Sequence, residues 1–514
     1  MPLIMSQKSV AVVGAGIAGL ASAIRLANQG LNVHLFERNS YTGGKMTVYE
    51  QDGFRFDAGP SLFTLPELVD ELFKLSGKNP RDYFNYTKHH TACRYYWSNG
   101  KSISLTADQS ENLHNIERVF GAKQARSAKE YFNHSKEKYE LTAPYFLEKS
   151  LHRKSTFSNR EVLKVIRKIP SLGIFRSLNA LNGRYFESPE LVQLFNRYAT
   201  YNGSNPYRTP GIMQMINHLE HGIGTYLPKG GMHEIAKSLT KLAREVGVNI
   251  HLNTPVNKVC VRDRRFHSLL INEEYIEFDS VLLNSDVHHT YAHLMEDKVP
   301  RPKRTLAQKP STSALIFYWG IQQTFEQLDL HNIFFSKDYK QEFDSIESND
   351  GFWLDPTIYV NISSKLEKND APEGCENWFV MVNVPPNTGQ DWTVIREKTK
   401  ASIIERLSHE LKVNLEELIV TERVLDPVLI EKYTSSAGGA LYGTSSDNQL
   451  SAFLRHPNKK LGQFSGLYFC GGSAHPGGGI PLCLHSAKLA ADWCIEDLLK
   501  ETKPRDVFES LKSV

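Results

Sequence analysis

The chain has no cysteine pattern to build on. Its six cysteines, Cys93, Cys260, Cys375, Cys470, Cys483 and Cys494, are scattered without a CxxC pair or a metal-ligand spacing, so the sequence predicts reduced thiols and no metal site. Charge of one sign is also lacking. Sixty Lys and Arg against 57 Asp and Glu leave +3, and with no nucleic-acid motif this excludes an electrostatically driven nucleic-acid binder. Past the first 25 residues there is no run of about 18 apolar residues, so no spanning helix is expected. Internal repeats and low-complexity tracts are absent as well. What remains is a 514-residue chain, long enough for two or three substructures around a large core.

The most informative stretch runs from Val10 to Lys45. An apolar strand, Val10 to Val13, meets Gly14-Ala15-Gly16-Ile17-Ala18-Gly19, and then a helix with Ile17, Leu20, Ile24 and Ala27 on one face, closed by Gly30. A second strand, Val33 to Phe36, ends on Glu37. Gly14 allows the tight turn, Gly16 lets backbone approach a pyrophosphate, and Gly19 lets helix and sheet pack closely. The phosphates would sit on the helix N-terminus, where free amides and the dipole favour anions. Glu37 stands about 20 residues past the loop, where a carboxylate binds the ribose hydroxyls of an adenosine. The competing reading is a signal peptide, since Lys8 precedes an apolar run. Three spaced glycines and the strand that follows argue against it.

After Glu37 come Arg38 and then Gly43-Gly44-Lys45, a second flexible loop that brings a cation towards the same phosphates. Nicotinamide dehydrogenases do not need such a loop, whereas flavoproteins of the glutathione-reductase-like fold use one. FAD is therefore expected over NAD. An ordinary hairpin turn at Gly43-Gly44 is the plain alternative. A short strand pair near Val48 and Phe54 to Phe56 leads to Gly59-Pro60-Ser61.

Residues 113 to 219 read as mostly helical. Between 151 and 184 stand Arg153, Lys154, Arg160, Lys164, Arg167, Lys168, Arg176 and Arg184 against the single acid Glu161, interleaved with apolar residues. Such a segment suits an anionic membrane surface, each cation adding about 1 kcal/mol. A helical hairpin with a solvated basic face would read the same. The α/β pattern returns with a helix, His233 to Glu245, and strands at Asn249 to Leu252 and Ser280 to Leu283, which make the nucleotide-binding domain discontinuous. From 300 to 460 alternating, aromatic-rich segments predict an antiparallel sheet, one wall of an apolar site. A second glycine-rich turn, Ser473-Ala474-His475-Pro476-Gly477-Gly478-Gly479-Ile480-Pro481, sits between a strand ending at Cys470 and a helix from Leu482 to Leu499. It permits very close approach to a flat ring at a helix entry.

Taken together, VVGAGIAGL with Glu37, GGK at 43 to 45, AGPS at 58 to 61, LPKGGM and SAHPGGGIP resemble the bacterial-type carotenoid desaturases, relatives of phytoene desaturase. The likeness covers nearly the whole chain. Phytoene desaturases usually read closer to THPGAGIPG. Ser473, Gly478 and the Leu482 that follows Pro481 point instead to the later-acting 1-hydroxycarotenoid 3,4-desaturases.

The resemblance implies a Rossmann-like FAD-binding domain of the glutathione-reductase/amine-oxidase type (1–90, 222–300 and 460–514). It further implies an antiparallel-sheet substrate domain (91–112 and 301–459) and a helical lid or membrane-associating segment (113–221). FAD would be noncovalent, with Gly14, Ala15, Gly16, Ala18 and Gly19 at the pyrophosphate, Glu37 and Arg38 at the adenosine side, and Gly44 and Lys45 near the phosphates. Gly59, Pro60 and Ser61 would meet the flavin, Val256 the adenine, and Gly472 with Gly478, Gly479, Ile480 and Pro481 the flavin region. His475 is the candidate proton acceptor, with a loop-fixing hydrogen bond as its alternative role.

A long polyene substrate, peripheral attachment to the inner face of the cell membrane, and oxygen or a quinone as electron acceptor complete these expectations. The same fold leaves open a flavin amine oxidase, a polyene isomerase or saturase, and a flavin-free lipid-binding escort.

Overall fold

Five short strands, Leu467–Phe469, Ser280–Leu283, Ser9–Val13, Asn32–Phe36 and Asn249–His251, pair in that order into a parallel sheet. Their side chains alternate between two buried layers, as buried parallel strands require. Val10, Val12, Val33, Leu35 and Leu282 meet the helices Ile17–Ala27, Glu67–Leu75, Glu234–Glu245 and Ile480–Glu501. Ala11, Val13, Phe36, Val281 and Leu283 meet the opposite layer, which contains a three-stranded antiparallel meander, Val256–Arg262, Arg265–Ile271 and Glu274–Glu277. The meander did not stand out in the sequence. This computed structural model describes residues 8–153, 156, 165, 168–348, 354–448, 454–459 and 464–501. Most of the basic stretch from 154 to 167 lies outside them.

A second, seven-stranded sheet runs in the order Ile419–Leu425, Ser313–Ile321, Glu376–Val384, Ile358–Asn361, His331–Phe334, Thr91–Tyr96, Ser102–Thr106. It departs from the purely antiparallel sheet expected, because His331–Phe334 pairs parallel with Thr91–Tyr96. One face packs Phe317, Trp319, Trp378, Val380 and Val360 against the helix Trp392–Leu411. A helical layer, Gln109–Phe120, Ala122–Phe146, Leu178–Tyr185 and Pro189–Asn196, packs on the Tyr95 and Trp97 end through Phe132, Leu191, Leu194 and Phe195. Among the described residues no helix is long and apolar enough to cross a membrane.

Candidate functional site

At the carboxyl ends of the parallel strands, where such sheets bind ligands, a cavity of about 530 Å³ opens and continues under the seven-stranded sheet. Its first part is walled by backbone. The Ile17–Ala27 helix starts at Gly16, and no side chain caps it, so its first-turn amides are left to an external anion. Gly14 adopts φ +97° and its carbonyl accepts from Asn284 Nδ2 at 3.0 Å. A Cβ on Gly19 would stand 2.0 Å from that carbonyl oxygen, so only glycine lets helix and loop touch there. Glu37 is buried, and its carboxylate accepts from the Ala15 and Asn39 amides at 2.8 and 2.9 Å.

The second glycine loop docks on the first. Gly43 N–H donates to the Ala15 carbonyl at 2.8 Å, and Gly44, at φ +62°, lies so near Gly16 that a Cβ would be 3.2 Å from its Cα. Gly59 closes the turn behind them, a Cβ there standing 1.9 Å from the Lys45 carbonyl oxygen. On the adenosine side, Thr254 N–H donates to the Glu37 carbonyl, and Val256 and Arg38 line the cavity beside it. From the far end of the chain, Gly472, Gly478, Gly479, Ile480 and Pro481 complete the wall. Gly479 has φ +103° and a Cβ there would meet nothing within 4 Å, which leaves its backbone bare to the cavity.

Of the predicted contacts, Gly14, Gly16, Ala18, Glu37, Arg38, Gly44, Lys45, Gly59, Pro60, Ser61, Val256, Gly472 and Gly478 to Pro481 line this one cavity. Ala15 and Gly19 stand behind it in the loop. Two placements differ from expectation. The Lys45 ammonium donates to the Ala440 and Leu441 carbonyls at 2.8 and 2.9 Å rather than reaching the first loop. Burial lowers its pKa to about 8, and carbonyl oxygens are what a buried ammonium can find there. His475 does not line the cavity. It is buried, and its Nε2 pairs with the Lys149 carbonyl at 3.1 Å, the loop-fixing role. A proton acceptor must reach the reacting carbon, and His475 is not among the residues that line the cavity.

The second part of the cavity is built of side chains. Strand register puts Leu425 beside Ile316, Ile316 beside Met381, Met381 beside Tyr359, Tyr359 beside Ile333, and Ile333 beside Tyr95, all on one face. The wall is apolar at Leu425, Ile316, Met381 and Phe379, then turns polar at Tyr359 and His331. Tyr359 OH lies 2.8 Å from both Ser61 Oγ and His331 Nδ1. Burial lowers the His331 pKa to about 3, so the ring stays neutral.

From the helical layer come Arg197, Tyr201 and Glu220. Arg197 Nη2 donates to both Glu220 oxygens at 3.0 and 3.1 Å and to Tyr95 OH at 2.8 Å, and Tyr201 OH donates to Glu220. None of these polar residues was singled out in the sequence. They are spread over residues 95 to 359, and only sheet register and the helical cover bring them together. Asn284 carried one signal, its place at the end of a parallel strand adjoining the first.

The pattern described as flavin containing amine oxidoreductase matches residues 17–495. A 1-hydroxycarotenoid 3,4-desaturase of Flavobacterium sp. (strain P99-3) is 50% identical over 487 residues, 94% of this chain and 98% of that one. A 4,4'-diapolycopene oxygenase of Methylomonas sp. is 30% identical over 95% of this chain and 98% of its own. Wild-type putrescine oxidase bound to putrescine has the same fold, with a TM-score of 0.64 at 15% identity over 95% of this chain and 99% of its own.

Proposed function

Because the chain belongs to the family of flavin containing amine oxidoreductases, we propose that it is an FAD-dependent carotenoid desaturase that oxidises the 3,4 carbon–carbon bond of a 1-hydroxycarotenoid. The observation that carries this is the 50% identity, across 94% of this chain and 98% of the relative, with a protein of that activity. The phytoene desaturase of Phycomyces blakesleeanus, 28% identical over 98% of this chain, supports the broader class.

The residues present fit FAD. Two interlocked glycine loops, an uncapped helix N-terminus and a pinned carboxylate form a trench from Glu37 to Ser61, and Gly479 bares backbone at its flavin end. When bound, FAD supplies the oxidant, taking the electron pair that leaves with a hydride as CH–CH becomes C=C. The chain's own work is placement and exclusion. Gly59, Pro60 and Ser61 connect the trench to the sheet-lined chamber, and Ile316, Phe379, Met381 and Leu425 offer a dry wall to a polyene. An extended conjugated chain stabilises the positive charge that develops on hydride loss, so the proton on the adjacent carbon can leave to water or a weak base and no strong base is required.

Peripheral attachment to the inner face of the cell membrane belongs to the same proposal. It is supported by the basic excess between 151 and 184 and by Phe175, 68% exposed beside Arg176. Oxygen or a membrane quinone would take the electrons onward.

The test is anaerobic incubation of the yellow protein with a 1-hydroxycarotenoid in liposomes. The expected result is bleaching of the flavin and a red-shifted product lighter by two hydrogens. A flavin that stays unbleached, or a product that keeps its mass and only changes shape, would overturn the assignment.

A further inference from the structure

A chamber meant only for hydrocarbon has no use for hydrogen-bonding groups, yet this one turns polar where it joins the trench. The joint is Ser61, whose Oγ lies 2.8 Å from Tyr359 OH. On the other side Tyr359 OH meets His331 Nδ1 at 2.8 Å, and that same nitrogen accepts from Asn361 Nδ2 at 3.2 Å. Nδ1 is therefore the acceptor, and the ring hydrogen is assigned to Nε2. Tyr359 donates its phenolic hydrogen to His331 and accepts from the Ser61 hydroxyl, which leaves one oxygen lone pair for a further donor. His331 Nε2 has no hydrogen-bond partner among the described residues, although the ring is only 2% exposed. Burial holds the ring neutral. An acceptor and a donor thus stand side by side on one cavity wall, which is what an alcohol, itself both donor and acceptor, would satisfy.

Arg197 and Glu220 form an ion pair lining the same end, and Arg197 Nε is buried without a partner among the described residues. Charges this deep are costly next to pure hydrocarbon. Their presence makes this the end at which a polyene's polar terminus is tolerated and its apolar body is not.

We propose that Tyr359 and His331 form a hydroxyl-recognition site that selects polyenes with an alcohol at the end group and sets which bond is presented for oxidation. This rests on the desaturase reading for the identity of the ligand. The position agrees with it, because in a 1-hydroxy-3,4 substrate the oxygen is only a few covalent bonds from the reacting carbons, and Ser61 joins this wall to the trench. A site built to pair with a hydroxyl leaves its own groups unpaired against the analogue lacking one, which is how such sites discriminate.

The experiment compares the FAD-loaded protein, its Tyr359→Phe variant and its His331→Asn variant. Each is given a 1-hydroxycarotenoid and the same polyene without the hydroxyl, in identical liposomes. Dissociation constants are read from quenching of tryptophan fluorescence, and kcat/KM from product spectra. The wild type is expected to favour the hydroxylated polyene by about 10- to 100-fold. Tyr359→Phe should bring that ratio towards one, chiefly by weakening the hydroxylated ligand, and His331→Asn should reduce it in the same direction.

A wild-type ratio near one overturns the proposal, as does a ratio that survives in a folded, flavin-containing variant. Equal losses for both polyenes do so too, since they would mark a structural role. If Tyr359→Phe fails to fold, His331→Asn carries the same test. Because binding is read without turnover, a protein that discriminates the two polyenes yet desaturates neither would sink the desaturase reading and leave the site standing.

Discussion

The trench and the chamber that continues from it are one cavity made by two methods. The trench is made of backbone: glycines that cannot carry a side chain, amides at a helix start, and carbonyls in contact. The chamber is made of side chains contributed by strands and helices far apart in the chain. The first therefore tolerates almost no substitution at its glycines. The second tolerates shape changes and holds its selectivity in a handful of polar atoms.

Breaking the trench should give the largest effect. Gly19→Ala puts a Cβ within 2.0 Å of the Gly14 carbonyl oxygen, so the helix must move off the loop. The purified variant is expected to lose its bound flavin and its yellow colour, whereas Leu425→Ala in the chamber should keep both. Next comes the chamber's ion pair. Arg197→Met strands Glu220 in the interior, and breaking a buried pair costs about 3–5 kcal/mol. Urea unfolding should show that loss, and the double variant Arg197→Met/Glu220→Gln should recover part of it.

Smaller again is Glu37→Ala, which removes the acceptor for the Ala15 and Asn39 amides. FAD affinity measured by titration should fall about 10-fold, the effect of roughly 1.4 kcal/mol, without loss of fold.

A pH experiment separates the two regions in another way. Glu342, under the chamber, accepts from Ser336 Oγ, Thr357 Oγ and the Thr357 amide, and burial raises its pKa to about 7. The native state therefore holds this proton more tightly than the unfolded chain. The group's contribution to stability is full at low pH and is lost as pH rises from about 4.5 to about 7. Glu342→Gln should flatten the stability profile across that window. The smallest effect is expected from His475→Asn. Outside the cavity, its loss should change kcat less than about tenfold, against the 10²- to 10⁴-fold loss of a true general acid–base.

The same division explains which parts are legible in the amino-acid sequence. Gly14, Gly16, Gly19 and Glu37 are close in the chain, and each obeys a local steric or electrostatic rule, so strand, loop, helix and carboxylate can be read from residue order alone. The docking of Gly43-Gly44 on that loop is only half legible, because two adjacent glycines serve an ordinary hairpin turn equally well. Lys45 misleads because its charge suggests phosphate, while its neighbours in space are the carbonyls of residues 440 and 441. The meander after Val256 escapes notice because its turns use Asp263-Arg264 and Asn272-Glu273 at positive φ instead of a glycine signal. Tyr359, His331, Arg197 and Glu220 are invisible for a different reason. Nothing local marks them, and only the register of Ile333 against both Tyr95 and Tyr359, with the helical cover that sets Arg197 and Glu220 on Tyr95, makes them neighbours.

The strand Leu467–Phe469 enters the parallel sheet last, beside Ser280–Leu283, and the turn after it supplies the final wall of the trench. A nascent chain that has not yet emerged past Pro481 presents the nucleotide loops complete but has no closed pocket for a flavin. Closure of the pocket therefore needs the chain through Pro481. FAD then acts as a late thermodynamic seal, stabilising the folded state by an amount that grows with its concentration relative to its dissociation constant.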